Sequence, residues 1–301
     1  MNYDVIIIGS GVAGLGAAIY AQRFDLKTLV IGDLPGGTIT KTHLVENYPG
    51  FTSLTGMELG NNIAEHAKAT GAELKMGSVK TAEQIEGGFK IMTGTNEEIT
   101  AKAIIIATGT EHRKLGAPGE EEFNNKGVSY CATCDGPFFK GKDTVIIGGS
   151  DSAVKESLVL AEHAASVKII YRKDKLRAEP INIRRMEAKE NISVIYNTNV
   201  VEIMGEQMVT GVKLDTDEEL AVGGVFIEIG RLPRAEVGKQ LGCDIDEKTG
   251  EIVTDRYAKT NVPGVFAAGD VTNTEWKQAI TGVAEGAHAA NQVFEFISSQ
   301  V

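Results

Sequence analysis

The sequence predicts an α/β protein with two domains, of which the first is discontinuous along the chain. Three observations support this fold class. The length of 301 residues suits about two domains of ordinary size. A continuous apolar strand that runs through a glycine-rich turn into a helix occurs twice, and the two turns begin at Gly9 and Gly148. Two further apolar runs, Ala103–Ala107 and Gly264–Ala268, have the length and composition of buried parallel strands.

Charge and composition exclude several classes of protein. The chain has 30 Lys and Arg against 41 Asp and Glu, so its formal net charge is −11. An acidic surface disfavours binding to nucleic acid or to anionic membranes, which requires positive charge. No apolar stretch approaches the roughly 18 residues of a membrane-spanning helix. The first residues enter a strand with no basic segment before it, so we expect a cytoplasmic protein without a secretory signal.

The first strand leads into a dinucleotide-binding pattern. Tyr3–Ile8 is apolar, and it is followed by a G-x-G-x-x-G turn and by a helical segment that begins at Leu15. In this context the first glycine permits a tight turn, the second lets a pyrophosphate approach the backbone, and the third lets helix and strand pack closely. Asp33, after the second strand, could accept a ribose hydroxyl. The motif residues predicted to contact the dinucleotide are Gly9, Ser10, Gly11, Ala13 and Gly14.

A second, altered copy of the pattern lies in the middle of the chain. The strand Asp143–Ile147 is followed by G-x-S-x-x-A, in which Ser150 replaces the second glycine and narrows the approach to a phosphate. The next strand ends in basic residues rather than an acid, which suits the 2′-phosphate of NADP. A surface charge cluster without a ligand is the alternative. The residues predicted to contact NADP are Gly148, Ser150, Asp151, Ser152, Arg172, Lys173 and Arg177.

The order of the strands indicates how the two domains are connected. Ala103–Gly109 and Gly264–Asp270 both end in a glycine turn, and the second places a carboxylate at the strand's carboxyl end, where open parallel sheets bind ligands. The prediction is therefore two Rossmann-like nucleotide-binding domains with three layers (ββα). Residues 1–112 and 246–301 form the first domain, and residues 113–245 form the second.

The second domain also carries a C-x-x-C pair, Cys131 and Cys134, followed by Asp135. This spacing allows a small disulfide ring with a reactive thiolate, and Asp135 could move protons during dithiol–disulfide exchange. A zinc site needs four ligands, and the five histidines show no paired ligand spacing, so we expect no metal. An inert thiol pair and a simple turn aspartate are the remaining alternatives. The isolated Cys243 is expected to have no chemical role.

Four segments together resemble the low-molecular-weight thioredoxin reductases: Gly9–Gly14, Val45–Phe51, Cys131–Gly136 and Val265–Val271, in the order found in that family. The resemblance covers essentially the whole chain. It implies FAD on the first domain, a homodimer, and a large domain rotation between reduction of the flavin and thiol exchange. The further FAD contacts that it implies are Gly36, Gly37, Thr38, Asn47, Ala107, Thr108, Gly109, Gly269, Asp270, Lys277, Gln278 and Ala279.

The resemblance also implies roles at the C-x-x-C pair. Cys134 would face the flavin, Cys131 would attack the disulfide of thioredoxin, and Asp135 would be the acid–base. Phe138 and Phe139 resemble the apolar surface on which the family docks thioredoxin.

The predicted function is that of a thioredoxin-disulfide reductase, which passes electrons from NADPH through FAD and the Cys131–Cys134 disulfide to thioredoxin or a similar redoxin. Ser150, Lys155 and Ser157 depart from the family's NADPH signature, and Arg231 stands in place of the family's histidine. A different electron donor, reduced ferredoxin or a deazaflavin, is therefore a second prediction. A flavin-dependent dithiol oxidase, which passes electrons from a small dithiol to oxygen, is a third.

Overall fold

The computed structural model describes residues 1–300, in which strands and helices alternate as the sequence predicts. The strands are β1 Tyr3–Ile8, β2 Thr28–Gly32, β3 Glu73–Met76, β4 Val79–Ile85, β5 Gly88–Thr93, β6 Glu98–Ile106, β7 Thr110–His112, β8 Val128–Ser129, β9 Asp143–Gly148, β10 Ser166–Tyr171, β11 Ile192–Tyr196, β12 Val200–Gly205, β13 Val209–Leu214, β14 Glu219–Ala221, β15 Gly224–Glu228, β16 Arg231–Pro233 and β17 Val265–Ala267. The α-helices are α1 Val12–Arg23, α2 Gly56–Ala69, α3 Ala132–Asp135, α4 Asp151–Leu160, α5 Pro180–Glu187, α6 Glu236–Gln240 and α7 Ala279–Ser298. Short 3-10 turns cover Gly37–Lys41 and Gly136–Phe139.

These elements form two units. Unit 1 consists of Met1–Glu111 and the chain from Leu232 onward, and unit 2 is the continuous segment His112–Arg231. The chain therefore returns to unit 1 earlier than the predicted residue 246. The reason is α6, whose Gln240 side chain accepts a hydrogen bond from the β4 backbone at Ala82 N (2.9 Å) and donates one to Lys80 O (3.2 Å).

Unit 1 is built on a sheet with the strand order β3-β2-β1-β6-β5-β4, and β17 adds in parallel beside β6. β1 is parallel to β2 and β6, whereas β4, β5 and β6 pair in antiparallel fashion. Side chains alternate between the faces of a strand. Ile7 and Ile105 therefore pack with α1, α2 and α7, while Ile6 and Ile104 pack with the β4–β5 hairpin and α6. This double burial explains why β1 is apolar on both faces.

Small residues bring α1 against α7 in the same unit. A Cβ on Gly286 would lie 2.1 Å from Ala13 O, and a Cβ on Gly16 would lie 3.1 Å from Val283 O. The two helices can approach this closely only because these positions carry no larger side chains. The packing holds the start of α1 at the carboxyl end of β1.

Unit 2 repeats this plan. Its main sheet has the strand order β11-β10-β9-β15-β8 with all strands parallel, and β12, β13 and β14 form a separate antiparallel sheet. Ile146 and Phe226 on one face of the parallel sheet pack with Leu160 of α4, while Val145 and Val225 on the other face pack with the antiparallel sheet. The predicted fold class, α/β with two Rossmann-like units of three layers, is confirmed. Within residues 1–300, no helix is both long and apolar enough to cross a bilayer.

Candidate functional site

The glycine turn after β1 contains two positions at which the backbone leaves no space for a Cβ, and a third, Gly11, that borders open space. Gly9 has φ +117°, and a Cβ there would lie 2.0 Å from Ala107 O. A Cβ on Gly14 would lie 1.9 Å from Gly9 O, so the strand–turn–helix connection itself requires glycine at both positions. A Cβ on Gly11 would meet only Gly37 Cα, at 3.9 Å. The space beside Gly11 is what the close approach of a phosphate requires.

The start of α1 fits an anionic group. The N-cap residue Gly11 supplies no side-chain cap, and the first turn of this 12-residue helix carries no acidic residue. Its first backbone N–H groups therefore remain available to an anion, at the positive end of the helix dipole. Ser10 Oγ is buried and has no hydrogen-bond partner among residues 1–300. The free N–H groups and the unpaired hydroxyl fit the pyrophosphate of FAD.

A second loop lies beside this turn. Gly36 N donates a hydrogen bond to Ser10 O (2.8 Å), and both Gly36 (φ +86°) and Gly37 (φ +69°) adopt left-handed backbone conformations. Asp33 and Thr38 are exposed at the two ends of this loop, directly after β2 and within the following 3-10 turn. Four of the predicted FAD contacts thus lie after the carboxyl end of β2, beside the turn that follows β1: Asp33, Gly36, Gly37 and Thr38.

The end of β6 reaches the same edge of the sheet. Ala107 N donates to Ile8 O (2.7 Å), which continues the pairing with β1. Thr108 Oγ1 donates to Arg234 O (2.6 Å), and Arg234 N donates to Gly109 O (3.0 Å). Thr108 and Gly109 are thus held by a segment far away in the sequence. Sequence reasoning did not identify Arg234, because its backbone rather than its side chain makes these bonds.

Glu285 of α7 fixes the loop that carries Asp270. Its carboxylate accepts hydrogen bonds from Gly269 N (2.7 Å) and Thr274 Oγ1 (2.8 Å). Gly269 itself has φ +79°. The loop between β17 and α7 is therefore anchored by a residue that sequence reasoning missed.

The Lys277 side chain is bonded within the loop that carries Asp270. Its ammonium donates to Glu251 Oε1 (2.5 Å), Asp270 O (2.7 Å) and Thr272 O (2.8 Å). An ammonium has three N–H donors, and all three are used within the protein. The Lys277 side chain therefore holds the Asp270 loop in place, and a contact of Lys277 with FAD stays a prediction.

Gln278 and Ala279 lie where α7 begins. Gln278 is the N-cap residue and Ala279 is the first residue of the helix. Asn47 Nδ2 donates to Gln278 Oε1 (3.1 Å), so two predicted contacts that are distant in sequence meet here.

The corresponding turn of unit 2 has the same backbone and different side chains. Gly148 has φ +147°, and a Cβ there would lie 2.1 Å from Glu228 O. Arg177 N donates to Gly149 O (2.7 Å). Ser150 is the N-cap residue of α4 without a side-chain cap, and it stands where unit 1 has Gly11. A phosphate would therefore meet a hydroxymethyl group at this position.

The first turn of α4 contains a charged network. Asp151 accepts hydrogen bonds from Glu179 N (2.9 Å) and Asn182 Nδ2 (2.9 Å), and it pairs with Lys155 Nζ (2.7 Å). Burial acts to raise the pKa of Asp151, but the hydrogen bonds from Lys155, Asn182 and Glu179 outweigh it and lower this pKa. Asp151 thus ties the loop before α5 to the start of α4, while Ser152 beside it is exposed.

Three basic side chains follow β10. Arg172, Lys173 and Arg177 are all exposed, and Arg177 Nε donates to Tyr171 Oη (3.2 Å). The Tyr171 ring lies over Gly149, where an added Cβ would be 2.4 Å from Cδ2. The chemistry of this donor set fits a 2′-phosphate at the carboxyl end of the parallel sheet.

The C-x-x-C pair lies on α3 in unit 2. Cys131 and Cys134 form a disulfide with Cα atoms 5.4 Å apart; Cys131 is partly buried and Cys134 is exposed. Ser129 Oγ donates to Asp135 Oδ2 (2.6 Å) and accepts a hydrogen bond from Cys131 N (3.1 Å). Ser129, which sequence reasoning missed, therefore orients the predicted acid–base beside the disulfide.

Sequence reasoning also missed two carboxyl groups of unit 2, those of Glu156 and Glu228. Glu156 of α4 accepts a hydrogen bond from Ala132 N, and Glu228 lies at the end of β15. Burial raises the pKa of Glu156 to about 7, against the opposing effects of the Ala132 N–H and the Arg231 charge. Burial and then the negative charge of Glu156 raise the pKa of Glu228 to about 8, again opposed by Arg231.

The aromatic pair that follows is divided between surface and core. Phe138 is 76% exposed, whereas Phe139 is 6% exposed and packs edge-on against Phe226 with ring centroids 5.0 Å apart. Only Phe138 can therefore belong to a docking surface, which corrects the expectation for Phe139. Cys243 is a buried free thiol in the unit 1 core, and burial raises the pKa of this thiol.

Comparison with known proteins gives consistent matches over the chain. The family model for pyridine nucleotide-disulphide oxidoreductases matches residues 3–286. Thioredoxin reductase of Listeria monocytogenes is 45% identical, covering 98% of this chain and 94% of that protein. Thioredoxin reductase of Bacillus subtilis is 44% identical, covering 98% and 95%. The crystal structure of Lactococcus lactis thioredoxin reductase in its FR conformation is 43% identical, covers 99% of both chains and has a TM-score of 0.94.

Proposed function

Because the chain belongs to the pyridine nucleotide-disulphide oxidoreductase family, we propose that it is a thioredoxin-disulfide reductase that passes electrons from NADPH through FAD and the Cys131–Cys134 disulfide to thioredoxin. The observation that carries this proposal is the disulfide itself. It links the N-cap residue of a one-turn helix to a residue within that turn, leaves Cys134 exposed and lies beside a carboxylate oriented by Ser129. A structural disulfide needs neither an exposed sulfur nor a positioned proton carrier.

Unit 1 is the proposed FAD site. FAD supplies a carrier of two electrons between a nicotinamide and a disulfide. Ser10 and Gly11 would hold its pyrophosphate, and Asp33 would accept a ribose hydroxyl. The loop of Asp270, fixed by Glu285, completes the edge of the sheet where ligands bind.

The two cysteines carry out the exchange. Reduction of the disulfide takes two electrons and two protons and gives two thiols. The Cys131 thiolate attacks one sulfur of the thioredoxin disulfide; an S–S bond forms between the proteins, and the other sulfur of thioredoxin leaves as a thiolate. Cys134 then attacks Cys131 Sγ, which restores the disulfide and releases reduced thioredoxin. Asp135 accepts the proton of the attacking thiol and returns a proton to the leaving thiolate.

Unit 2 is the proposed NADPH site, and its altered turn favours a second candidate. Arg172, Lys173 and Arg177 supply the positive charge for a 2′-phosphate. However, Ser150 stands at the position that corresponds to Gly11 of unit 1, so its side chain fills the space where a phosphate would approach the turn. Lys155 is already paired with Asp151 (2.7 Å). This difference is what favours a reductase that takes electrons from reduced ferredoxin or a deazaflavin instead.

The proposal also includes a homodimer, a cytoplasmic location, and thioredoxin or a similar redoxin as the protein partner. A reducing compartment suits a catalytic disulfide that must be opened in every cycle. Phe138, four residues after Cys134, offers an exposed aromatic ring for docking that partner. Light scattering on the purified protein measures the oligomeric state.

The test is an anaerobic titration of the purified flavoprotein, followed by the visible absorbance of the flavin. NADPH is added first, NADH in a parallel sample, and dithionite last; oxidised thioredoxin is then added to each reduced sample. We expect NADPH alone to bleach the flavin and thioredoxin to restore its colour. The rate with NADH is the control for recognition of the 2′-phosphate.

Other outcomes separate the candidates. Bleaching by dithionite but by neither nucleotide would contradict the NADPH assignment and support ferredoxin or a deazaflavin as donor. A reduced sample that thioredoxin leaves bleached, while oxygen reoxidises it with stoichiometric hydrogen peroxide, would contradict the reductase proposal and support a dithiol oxidase.

A further inference from the structure

The carboxyl group of Glu156 accepts a hydrogen bond from the backbone of α3, the helix of the C-x-x-C pair. Glu156 lies on α4, the helix that packs against α3, and its Oε2 accepts the hydrogen bond of Ala132 N. Ala132 N is bonded to the carbonyl carbon of Cys131, so the carboxyl group is anchored next to that cysteine. The Cys131 Sγ in turn accepts a hydrogen bond from Cys134 N (3.2 Å). A sulfur and a carboxylate thus accept hydrogen bonds from two N–H groups of the same helical turn, those of Cys134 and Ala132.

The carboxyl group of Glu156 belongs to a charged cluster inside unit 2. Glu228, which is 7% exposed, is close enough for the charge of Glu156 to raise its pKa, and Arg231 acts on both carboxyl groups in the opposite direction. Two carboxylates with one guanidinium leave one excess negative charge when both are ionised. Such a pair titrates as a unit and retains one proton to higher pH than a single exposed glutamate.

Most of the other charged groups on the surrounding elements are paired or exposed. Asp151 and Lys155, on the same helix, form an ion pair (2.7 Å), and Asp135 on α3 is bonded to Ser129 Oγ (2.6 Å). The charged groups that remain on β9, β10 and α5 and after α4 are Asp143, Lys168, Arg184, Arg185, Glu187, Glu162 and His163. Of these, the charged side chains of α5, Asp143 and Glu162 are exposed, whereas Lys168 and His163 are partly buried. The His163 ring lies against Gly136, where an added Cβ would be 3.3 Å from Cδ2, but neither His163 nor Lys168 shifts the pKa of Glu156. Arg231 is therefore the charge that acts on the pKa of Glu156, and Glu228 is the carboxyl group on which Glu156 acts.

We propose that Glu156 is a positioning residue for the Cys131–Cys134 pair: through its hydrogen bond with Ala132 N it anchors the first turn of α3 and places an ionisable carboxyl group beside the backbone of Cys131. This inference rests on the proposed function and deepens it. When the Cys131 thiol ionises, the negative charge on sulfur favours retention of the proton by the carboxyl pair. When the pair is fully ionised, its charge opposes formation of the thiolate. The thiolate and the carboxyl pair therefore influence each other's titration.

The test measures the titration of the Cys131 thiol without using thioredoxin or a nucleotide. In the full-length Cys134→Ser protein, the rate of Cys131 alkylation by iodoacetamide is measured from pH 5 to pH 10, with the alkylated peptide quantified by mass spectrometry. Glu156→Gln retains an oxygen that can accept the Ala132 hydrogen bond but cannot ionise. We expect its alkylation midpoint to move to lower pH, with at least a threefold increase in the acid dissociation constant of Cys131.

The same alkylation assay includes a control variant at a second carboxyl group of unit 2. Glu162→Gln, an exposed carboxyl group just beyond α4, should leave the midpoint of the Cys134→Ser protein unchanged. An alkylation profile of Glu156→Gln that superimposes on that of Glu162→Gln would overturn the proposal. Circular dichroism checks that the variants are folded; if Glu156→Gln is not, Glu228→Gln removes the same excess charge without touching Ala132, and an unmoved midpoint there has the same meaning. Failure of thioredoxin turnover would affect only the proposed function, because this assay does not depend on it.

Discussion

The backbone N–H of Cys134 donates a hydrogen bond to Cys131 Sγ across the turn of α3, at 3.2 Å. A hydrogen bond to sulfur favours the charged thiolate over the thiol. The same geometry that closes the disulfide ring therefore also favours Cys131 as the nucleophile once the ring is opened. This relationship gives the first prediction.

Cys131→Ser is expected to retain reduction of the flavin by the electron donor and to lose thioredoxin turnover by roughly 10³-fold or more, because the nucleophile is removed. Stopped-flow absorbance measures the first step and a coupled thioredoxin assay measures the second. Cys243→Ser, which alters the buried free thiol, is the matched control and should retain both. Turnover retained in Cys131→Ser would refute the role of this residue.

Arg172→Ala tests the recognition of the 2′-phosphate. Loss of one charge-assisted hydrogen bond costs about 1.5–3 kcal/mol, so the KM for NADPH should rise roughly 10- to 100-fold. The KM for NADH, which lacks this phosphate, should change little. Lys189→Ala removes an exposed charge elsewhere in unit 2 and serves as the control. Equal KM values for NADPH in wild type and Arg172→Ala would argue against a phosphate contact.

Gly11→Ala and Gly14→Ala should separate ligand binding from folding. The added Cβ at residue 11 meets only Gly37 Cα, at 3.9 Å, whereas at residue 14 it would lie 1.9 Å from Gly9 O. We expect Gly11→Ala to fold but to be isolated with little bound FAD, and Gly14→Ala to lose the fold of unit 1. Flavin content and circular dichroism distinguish these results; full flavin content in Gly11→Ala would mean that no phosphate approaches there.

Glu285→Ala removes the acceptor of two hydrogen bonds that fix the Asp270 loop. Each bond to a charged group is worth about 1.5–3 kcal/mol, so both FAD retention and the melting temperature should fall. Glu295→Ala, an exposed carboxylate on the same helix, should change neither. The comparison uses a flavin-release titration in urea alongside a thermal melt. A variant with normal flavin retention would show that the loop is held without Glu285.

Glu228→Gln should change how stability depends on pH. Burial raises the pKa of Glu228 from its ordinary value of 4.5 to about 8. Between these values the folded protein holds a proton that the unfolded chain releases, so this group lowers stability as the pH rises. The variant is therefore expected to melt higher than wild type at pH 8, by about 2–4 °C or more, with a smaller difference at pH 5. An equal difference at both pH values would show that Glu228 has no raised pKa.

Much of the fold follows from patterns that are local in the sequence. The strand–glycine–helix pattern at Gly9 and Gly148 predicts the two units, since only glycine permits those turns. The family resemblance carried by the motif around Cys131 is confirmed by the thioredoxin reductases that match nearly the whole chain. The return of the chain to unit 1 at Leu232 was not predicted, because the short helix α6 belongs to unit 1 through its tertiary contacts.

The supporting residues of the site could not be predicted in the same way. Ser129, Glu156 and Glu285 are ordinary polar residues whose partners are brought together only by folding. Glu156 did carry one signal: it lies three residues after Ala153 and four before Leu160, both buried, so a charged side chain borders the apolar face of α4. A charge in that position needs a partner. The sequence could not identify that partner as the backbone of α3.

One backbone bond occurs in both units and has a consequence for their history. Gly36 N donates to Ser10 O in unit 1, and Arg177 N donates to Gly149 O in unit 2, at the same step of each glycine turn. A single ancestral scaffold, duplicated, would keep this bond because it closes the turn regardless of side chain. The donor is a glycine in unit 1, where a Cβ would lie 2.7 Å from Gly60 Cα, and in unit 2 it is an arginine whose charged side chain is exposed. One way of closing the turn is thus compatible with two different ligand preferences, because the bond uses backbone atoms alone.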